Sequence, residues 1–208
     1  MNIAVFASHE GTDLQAIIDG CKGEKLDAIV KVVISNNKSS GALERARKNG
    51  ITAVNLSQSV IPDAQLLENK ILQVLQENEI NLIFLAGYLK KLGTSILKEY
   101  EGRIFNIHPS LLPRHGGKGM YGINVHKAVL NANEKETGIT IHRVTEEYDD
   151  GEIIAQTIVQ VDSNDTPEKL ASRVLKREHI FIVEVLSDII NGKVPLGKKN
   201  RFYSKEYI

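Results

Sequence analysis

Apolar runs and amphipathic stretches alternate along the first 86 residues. Asn2-Ile-Ala-Val-Phe-Ala7, residues 29–35, 51–56 and 80–86 are near-continuous apolar runs of strand length, as expected for strands covered on both faces. Helical spacing fills the gaps. Leu14, Ile17 and Ile18 share one face, and Leu43, Ala46 and Arg47 belong to a basic helix stopped by Asn49-Gly50. Pro62 opens a third helix from about Asp63 to Glu77, with Leu66, Leu67, Ile71, Val74 and Leu75 on its apolar side. The order β-α-β-α-β-α-β predicts a parallel sheet with right-handed crossovers.

The second half changes character. Ile104, Phe105 and Ile107 read as a buried strand that stops at Pro109. Residues 114–122 hold four glycines and no strand or helix pattern, and 124–130 read as a helix. Residues 137–145 and 152–161 read as a strand pair around an acidic loop, 146–151. A last long helix starts at Asp165-Thr-Pro-Glu, with Asp165 or Thr166 as cap, and runs to about Ile190. Leu170, Val174, Ile180, Ile182, Val183 and Leu186 supply its apolar contacts. The basic tail from Lys193, with Lys198, Lys199 and Arg201, is expected to lie on the surface or fray. The fold class is therefore α/β: a single doubly wound, mostly parallel sheet with helices on both faces and an antiparallel C-terminal strand pair. One domain, 1–208, is expected, split into a first half (1–86), a second half (87–192) and a tail (193–208).

Composition narrows the classes of function. The 208 residues can bury a core without disulfides or metals. Lys plus Arg and Asp plus Glu number 26 each, which argues against bulk binding to nucleic acid or an anionic membrane. The single cysteine, Cys21, sits at a packing position of the first helix, and its isolation fits a reducing cytoplasm. Neither a signal peptide nor a run approaching the ~20 apolar residues of a membrane span is recognisable. No Cys or His cluster has the spacing of metal ligands, so no metal is expected.

Candidate chemistry starts at Asn106 and His108. Side chains alternate along a strand, so the two share a face with Ile104, their Cβ atoms about 6.6 Å apart. An amide and an imidazole thus project from the end of a buried strand, where open α/β sheets bind ligands. Taken alone, a histidine or asparagine at such a place usually just finishes a strand. The loop Ser8-His-Glu-Gly-Thr-Asp13 joins a strand to a helix N-terminus, which suits a phosphate. An ordinary turn capped by Thr12 or Asp13 accounts for it equally well. It is not Gly-x-Gly-x-x-Gly, which argues against a dinucleotide. Tyr88, Leu89 and Leu92, with Lys90 and Lys91, form an apolar and basic loop. Gly117 and Lys118 offer a backbone donor and a charge, while His115 is as readily solvated as functional. His142 reads as a partner of the site or a core histidine. Glu146-Glu-Tyr-Asp-Asp-Gly151 would ordinarily be a solvated hairpin loop. Glu178 falls inside an apolar helix and needs a partner, which Lys176 or Arg177 could provide.

Asn106-Ile-His-Pro-Ser-Leu-Leu-Pro113, with Met1-Asn-Ile-Ala-Val-Phe-Ala-Ser8, Leu85-Ala-Gly-Tyr88 and Glu178-His179, resembles the folate-dependent formyltransferases from Met1 to about Gly192. The likeness points to the branch that formylates glycinamide ribonucleotide in purine synthesis, with 10-formyltetrahydrofolate as co-substrate and a Rossmann-like formyltransferase fold. It implies that 1–86 holds the phosphate and 87–192 the folate and the chemistry. Asn106, His108 and Asp149 would be catalytic, with Asp149 and Asp150 competing for the carboxylate position. Gly11, Thr12 and Asp13 would hold the phosphate and Glu178 the ribose. Ser and Asn are usual at the second and third phosphate positions, so Asp13 brings an unfavourable charge unless it points away. Folate would lie against Tyr88, Leu89, Lys90, Lys91, Leu92 and Asn106, under Thr145, Glu146, Glu147, Tyr148 and Asp149. An arginine often found after the Pro62-Asp63 region is missing, Ala64 and Gln65 standing there. The partners implied are these two small molecules, with no nucleic acid or membrane, in a monomer or homodimer. Relatives that hydrolyse formyltetrahydrofolate share the Asn-x-His-Pro signature but usually carry an extra N-terminal domain, and here a strand begins at residue 2. A non-catalytic mononucleotide-binding module is the alternative from outside the family.

Overall fold

The computed structural model describes residues 1–197 and the backbone of 205–207. One mixed sheet organises the chain, in the order β3-β2-β1-β4-β5-β6-β7-β8. Strands β1 (Asn2–Phe6), β2 (Ile29–Ser35), β3 (Thr52–Asn55), β4 (Leu82–Leu85) and β5 (Ile104–His108) run parallel. Strand β6 (Glu136–Arg143) is antiparallel to both β5 and β7 (Ile153–Gln160), so the expected antiparallel pair is present. A short β8 (Lys205–Tyr207) pairs parallel with β7. The tail was expected only to lie on the surface or fray, so this strand is a correction. Lys198, Lys199 and Arg201 lie outside the described residues.

Alternation along the strands builds a core on each face. Ile3 and Val5 point into one, with α1 (Thr12–Lys22), α2 (Gly41–Lys48), α5 (Ile123–Asn131) and α6 (Pro167–Ile190). Ala4 and Phe6 point into the other, with α3 (Ala64–Glu77) and α4 (Thr94–Glu99). Cys21 is half-buried and packs against the first core. Helix α6 is capped by Thr166, whose side chain accepts from Lys169 N–H, and Pro167 occupies its first turn.

Four details differ from the sequence reading. Leu66 and Ile180 were assigned to apolar faces, yet they are 61% and 56% exposed. Each sits at the edge of its helix's apolar stripe, where only the packing partner decides burial. The cap of α1 is Gly11, in the left-handed region at φ 69° and with no side-chain bond, and neither Thr12 nor Asp13 serves. Helix α4 was not anticipated. Its six residues would not hold alone, but Glu68 Oε1 on α3 accepts from the N–H groups of Ser95 (2.5 Å) and Ile96 (3.1 Å), supplying a cap from 27 residues away.

The sheet order reverses between β1 and β4, the usual place for a ligand crevice in such sheets. Ser8 Oγ ties the two strand ends together. It contacts Asn36 Oδ1 at 2.6 Å and accepts from Leu89 N–H at 2.9 Å.

Candidate functional site

A cleft of about 570 Å³ opens at these strand ends. Its floor is the end of β5, where Ile104 faces the second core and Asn106 and His108 follow on the same face. His108 is 4% exposed. The loop after β6 brings Asp149 over them. Asp149 has a left-handed backbone (φ 55°), which carries its side chain inward while Asp150 stays exposed. Geometry thus separates two carboxylates that the sequence left open.

Four groups meet Asp149. Gly117 N–H donates to Oδ2 at 2.8 Å, and His108 Nδ1 lies 3.6 Å from the same oxygen. Asn106 Nδ2 and His142 Nε2 each lie 3.5 Å from Oδ1. Burial alone would raise the Asp149 carboxyl, but the neighbouring His142 and His108 rings and the Gly117 amide outweigh it and hold the group below its ordinary value. It is a carboxylate at neutral pH.

The histidine tautomers follow from their partners. His142 Nδ1 donates to the Arg143 carbonyl at 2.7 Å, so the neutral ring presents Nε2 as an acceptor. Asn106 Nδ2 donates to it at 3.0 Å. This fixes the Asn106 amide, whose second N–H is directed at Asp149 Oδ1 over a long 3.5 Å. His108 Nε2 donates to the His115 carbonyl at 2.8 Å, leaving Nδ1 bare and turned to Asp149. Burial lowers the His108 pKa, and Asp149 and the His115 carbonyl offset this only in part. His108 is therefore poised as a neutral base.

The other predicted residues divide along the cleft. Tyr88, Leu89, Lys90, Lys91 and Leu92 line one wall, and Thr145, Glu146, Glu147 and Tyr148 the opposite rim. Tyr88 packs edge-on against Phe6, ring centres 5.2 Å apart, and burial pushes its phenol up to about 12. Lys91 Nζ spans the mouth, 3.2 Å from Glu147 Oε2 and 4.9 Å from the Tyr148 ring centre. The acidic loop is thus solvent-exposed, as expected, except that Lys91 ties it to the opposite wall and Asp149 turns inward.

Asp13 and Glu178 line the other end. Burial raises Asp13 to about 6. Burial, then the Asp13 charge, raises Glu178 well above its ordinary value. Neither Lys176 nor Arg177 pairs with Glu178. Arg177 instead donates to Thr157 Oγ1 at 3.1 Å and Glu184 Oε2 at 3.0 Å. Asp13 Oδ1 turns towards His179 Nε2, 3.7 Å away, too long for a hydrogen bond. Gly11 lies behind them at the α1 cap. Gly11 and Thr12 are the predicted residues that do not line this cleft, and Thr12 faces a second one between α1 and α6.

Sequence reasoning underweighted His142 and His115. The alternation of β6 put His142 on a core face, and only its pairing opposite Asn106 reveals its partner. His115 lies in a loop without periodicity. Among the described residues, no group of three His, Cys, Asp or Glu is placed to hold a metal ion, and no helix is long and apolar enough to cross a membrane.

Comparison with known proteins agrees with this geometry. A relative from Arabidopsis thaliana, "Phosphoribosylglycinamide formyltransferase, chloroplastic", is 42% identical over 193 residues, covering 92% of this chain. The chain spans 66% of that relative's length. A relative from Escherichia coli (strain K12), "Phosphoribosylglycinamide formyltransferase", is 34% identical over 94% of this chain and 90% of its own. The crystal structure of phosphoribosylglycinamide formyltransferase from Bacillus halodurans superposes with a TM-score of 0.86 at 34% identity, covering 96% of this chain and all of that one. The formyl transferase family matches residues 1–186, from β1 into α6, and the chain belongs to that family.

Proposed function

We propose that this protein transfers the formyl group of 10-formyltetrahydrofolate to the amine of glycinamide ribonucleotide, a step of purine biosynthesis. The observation that carries this reading is the meeting of Asn106, His108 and Asp149 within 3.6 Å contacts in the middle of one cleft. An apolar wall lies on one side and Asp13 and Glu178 on the other, with Gly11 behind them at the α1 cap.

Formyl transfer needs three things. An oxyanion must be stabilised, a proton must leave the attacking nitrogen, and one must return to the folate nitrogen. The Asn106 N–H that makes only a long contact with Asp149 turns to donate to the oxyanion. His108 Nδ1 takes up the proton, and the resulting imidazolium lies beside the Asp149 carboxylate. Proton return runs through His108 or water held by Asp149. Tyr88, Leu89 and Leu92 take the flat folate ring, Lys90 and Lys91 stand at the rim, and residues Thr145 to Tyr148 cover it. The phosphate sits at the α1 N-terminus by Gly11, with Thr12 and Asp13 beside it and Glu178 on the ribose hydroxyls. On this reading 1–86 forms the phosphate half of a single domain and 87–192 the folate and catalytic half, with 193–208 as a tail. The setting is cytoplasmic, as a single cysteine fits, and the protein acts as a monomer or homodimer, which sedimentation decides.

Hydrolysis of formyltetrahydrofolate is the second reading, since water could use the same Asn106–His108–Asp149 group. The test is the folate absorbance of protein mixed with 10-formyltetrahydrofolate, with and without glycinamide ribonucleotide. Change only with the nucleotide supports the transferase. Change in both makes it a hydrolase, and change in neither refutes both.

A further inference from the structure

His115 belongs to the glycine-rich stretch 114–122, to which the formyl-transfer reading gives no task. Its main chain is left-handed, at φ 54°. A histidine holds that conformation only when its surroundings impose it. Here the ring does so. His115 Nε2 donates to Glu134 Oε1 at 2.6 Å, and Arg114 Nη1 donates to the other oxygen, Oε2, at 2.8 Å. The His115 and Glu134 side chains are 15% and 17% exposed. The preceding peptide is fixed too, because Ser110 Oγ donates to the Arg114 carbonyl at 2.7 Å. Glu134 stands in the tight connection between α5 and β6, so the clamp is anchored to the sheet.

The clamp aims one atom. The His115 carbonyl accepts from His108 Nε2 at 2.8 Å. A carbonyl cannot donate, and at 2.8 Å it lies closer than the Asp149 oxygen at 3.6 Å, so the proton of the neutral His108 ring is held on Nε2 and Nδ1 is kept bare beside Asp149. A histidine with its proton on the wrong nitrogen cannot act at the right place, as in other sites where a neighbour fixes the tautomer. We propose that His115 and Glu134 are positioning residues that set the tautomer and orientation of His108. The proposal rests on the reading of His108 as the acid–base group.

Glu134→Ala and His115→Gly test it, with Glu134→Gln as the conservative variant and His108→Ala as the control. Glycine adopts φ 54° freely, so His115→Gly removes the ring contact without creating strain. Both kcat and KM for the two substrates are measured, together with the long-range proton–nitrogen NMR correlations of the His108 ring. Loss of a residue that orients a reacting group typically costs about 10–100-fold. The expected result is a fall of that size in kcat with both KM values little changed. The His108 ring then shows a mixture of tautomers, and Glu134→Gln restores most of the rate. Folded Glu134→Ala and His115→Gly proteins with wild-type kcat and an unmixed Nε2–H tautomer overturn the proposal, provided His108→Ala is inactive. Should Glu134→Ala not fold, His115→Gly and Glu134→Gln carry the same comparison. Wild-type turnover by His108→Ala overturns the reading beneath it as well.

Discussion

His126 should make the protein acid-labile, by an amount set by its burial. It lies on α5 and is 4% exposed. Its Nδ1 is buried with no hydrogen-bond partner. Burial, then the nearby His108, lowers its pKa from 6.5 to about 4. The unfolded chain takes up a proton near pH ~6.5 that the folded chain refuses until about 4. Stability from this group is therefore intact above ~6.5 and falls as the pH drops from there to about 4. The full shift corresponds to about 3.4 kcal/mol, and linkage gives about 2.5 kcal/mol already lost at pH ~4.5. That is a large part of the ~5–15 kcal/mol of a typical domain. The assay is urea unfolding followed by circular dichroism at pH ~7.5 and ~4.5, for the wild type and His126→Leu. Other histidines and carboxylates titrate in both proteins and cancel in the difference. The variant is expected to lose about 2.5 kcal/mol less than the wild type between the two pH values. Equal losses in both proteins would refute the assignment of a buried neutral His126.

Four further outcomes are expected. Asn106→Ala removes the one oxyanion donor and lowers kcat by about 10²–10³, with thermal stability nearly unchanged; a fall below tenfold in steady-state turnover is incompatible with that role. Gly11→Ala places a methyl group 2.7 Å from Ala42 Cα and Cβ at φ 69°, so calorimetry is expected to show a loss of about 2–4 kcal/mol, and the KM for the nucleotide rises. Lys91→Ala breaks an exposed clasp, with Lys91 and Glu147 side chains 47% and 73% accessible, so stability moves by less than about 1 kcal/mol while KM for the folate increases and loses part of its salt dependence. Asp13→Asn removes a carboxyl raised to about 6 by burial, so above that pH the variant is expected to be more stable than the wild type, and chemical denaturation at pH ~8 against ~5 reads the difference.

The sequence makes the strands legible because burial on both faces leaves runs with little else in them, such as Ile3 to Phe6 and Leu82 to Leu85. Asn106 and His108 stand out for the complementary reason: polar groups at the end of such a run have no packing purpose. Long-range partners are where the reading thins. Nothing near Thr94 announces α4, because its cap is Glu68 on another helix. Leu66 and Ile180 have the spacing of core residues and lack only a neighbour. His142 is assigned by its register opposite Asn106, and Gly117 and His115 by main-chain groups, which no side-chain pattern encodes.

The middle and the Asp13 end of the cleft treat charge in opposite ways, and this bears on the oddest residue of the proposed phosphate loop. In the middle, hydrogen bonds and histidines hold Asp149 ionised although it is partly buried. At the Asp13 end, no cation among the described residues lies within hydrogen-bond reach of Asp13 or Glu178, and burial raises both. Two buried carboxyls that feel each other do not ionise together readily. The pair therefore carries less negative charge near neutrality than its composition suggests. A phosphate at the α1 N-terminus then meets the positive end of the helix with a weakened opponent, and Asp13 turns its Oδ1 towards His179. The aspartate that looked incompatible with a phosphate from its position in the chain is tolerable because burial and coupling keep the Asp13–Glu178 pair short of two full charges.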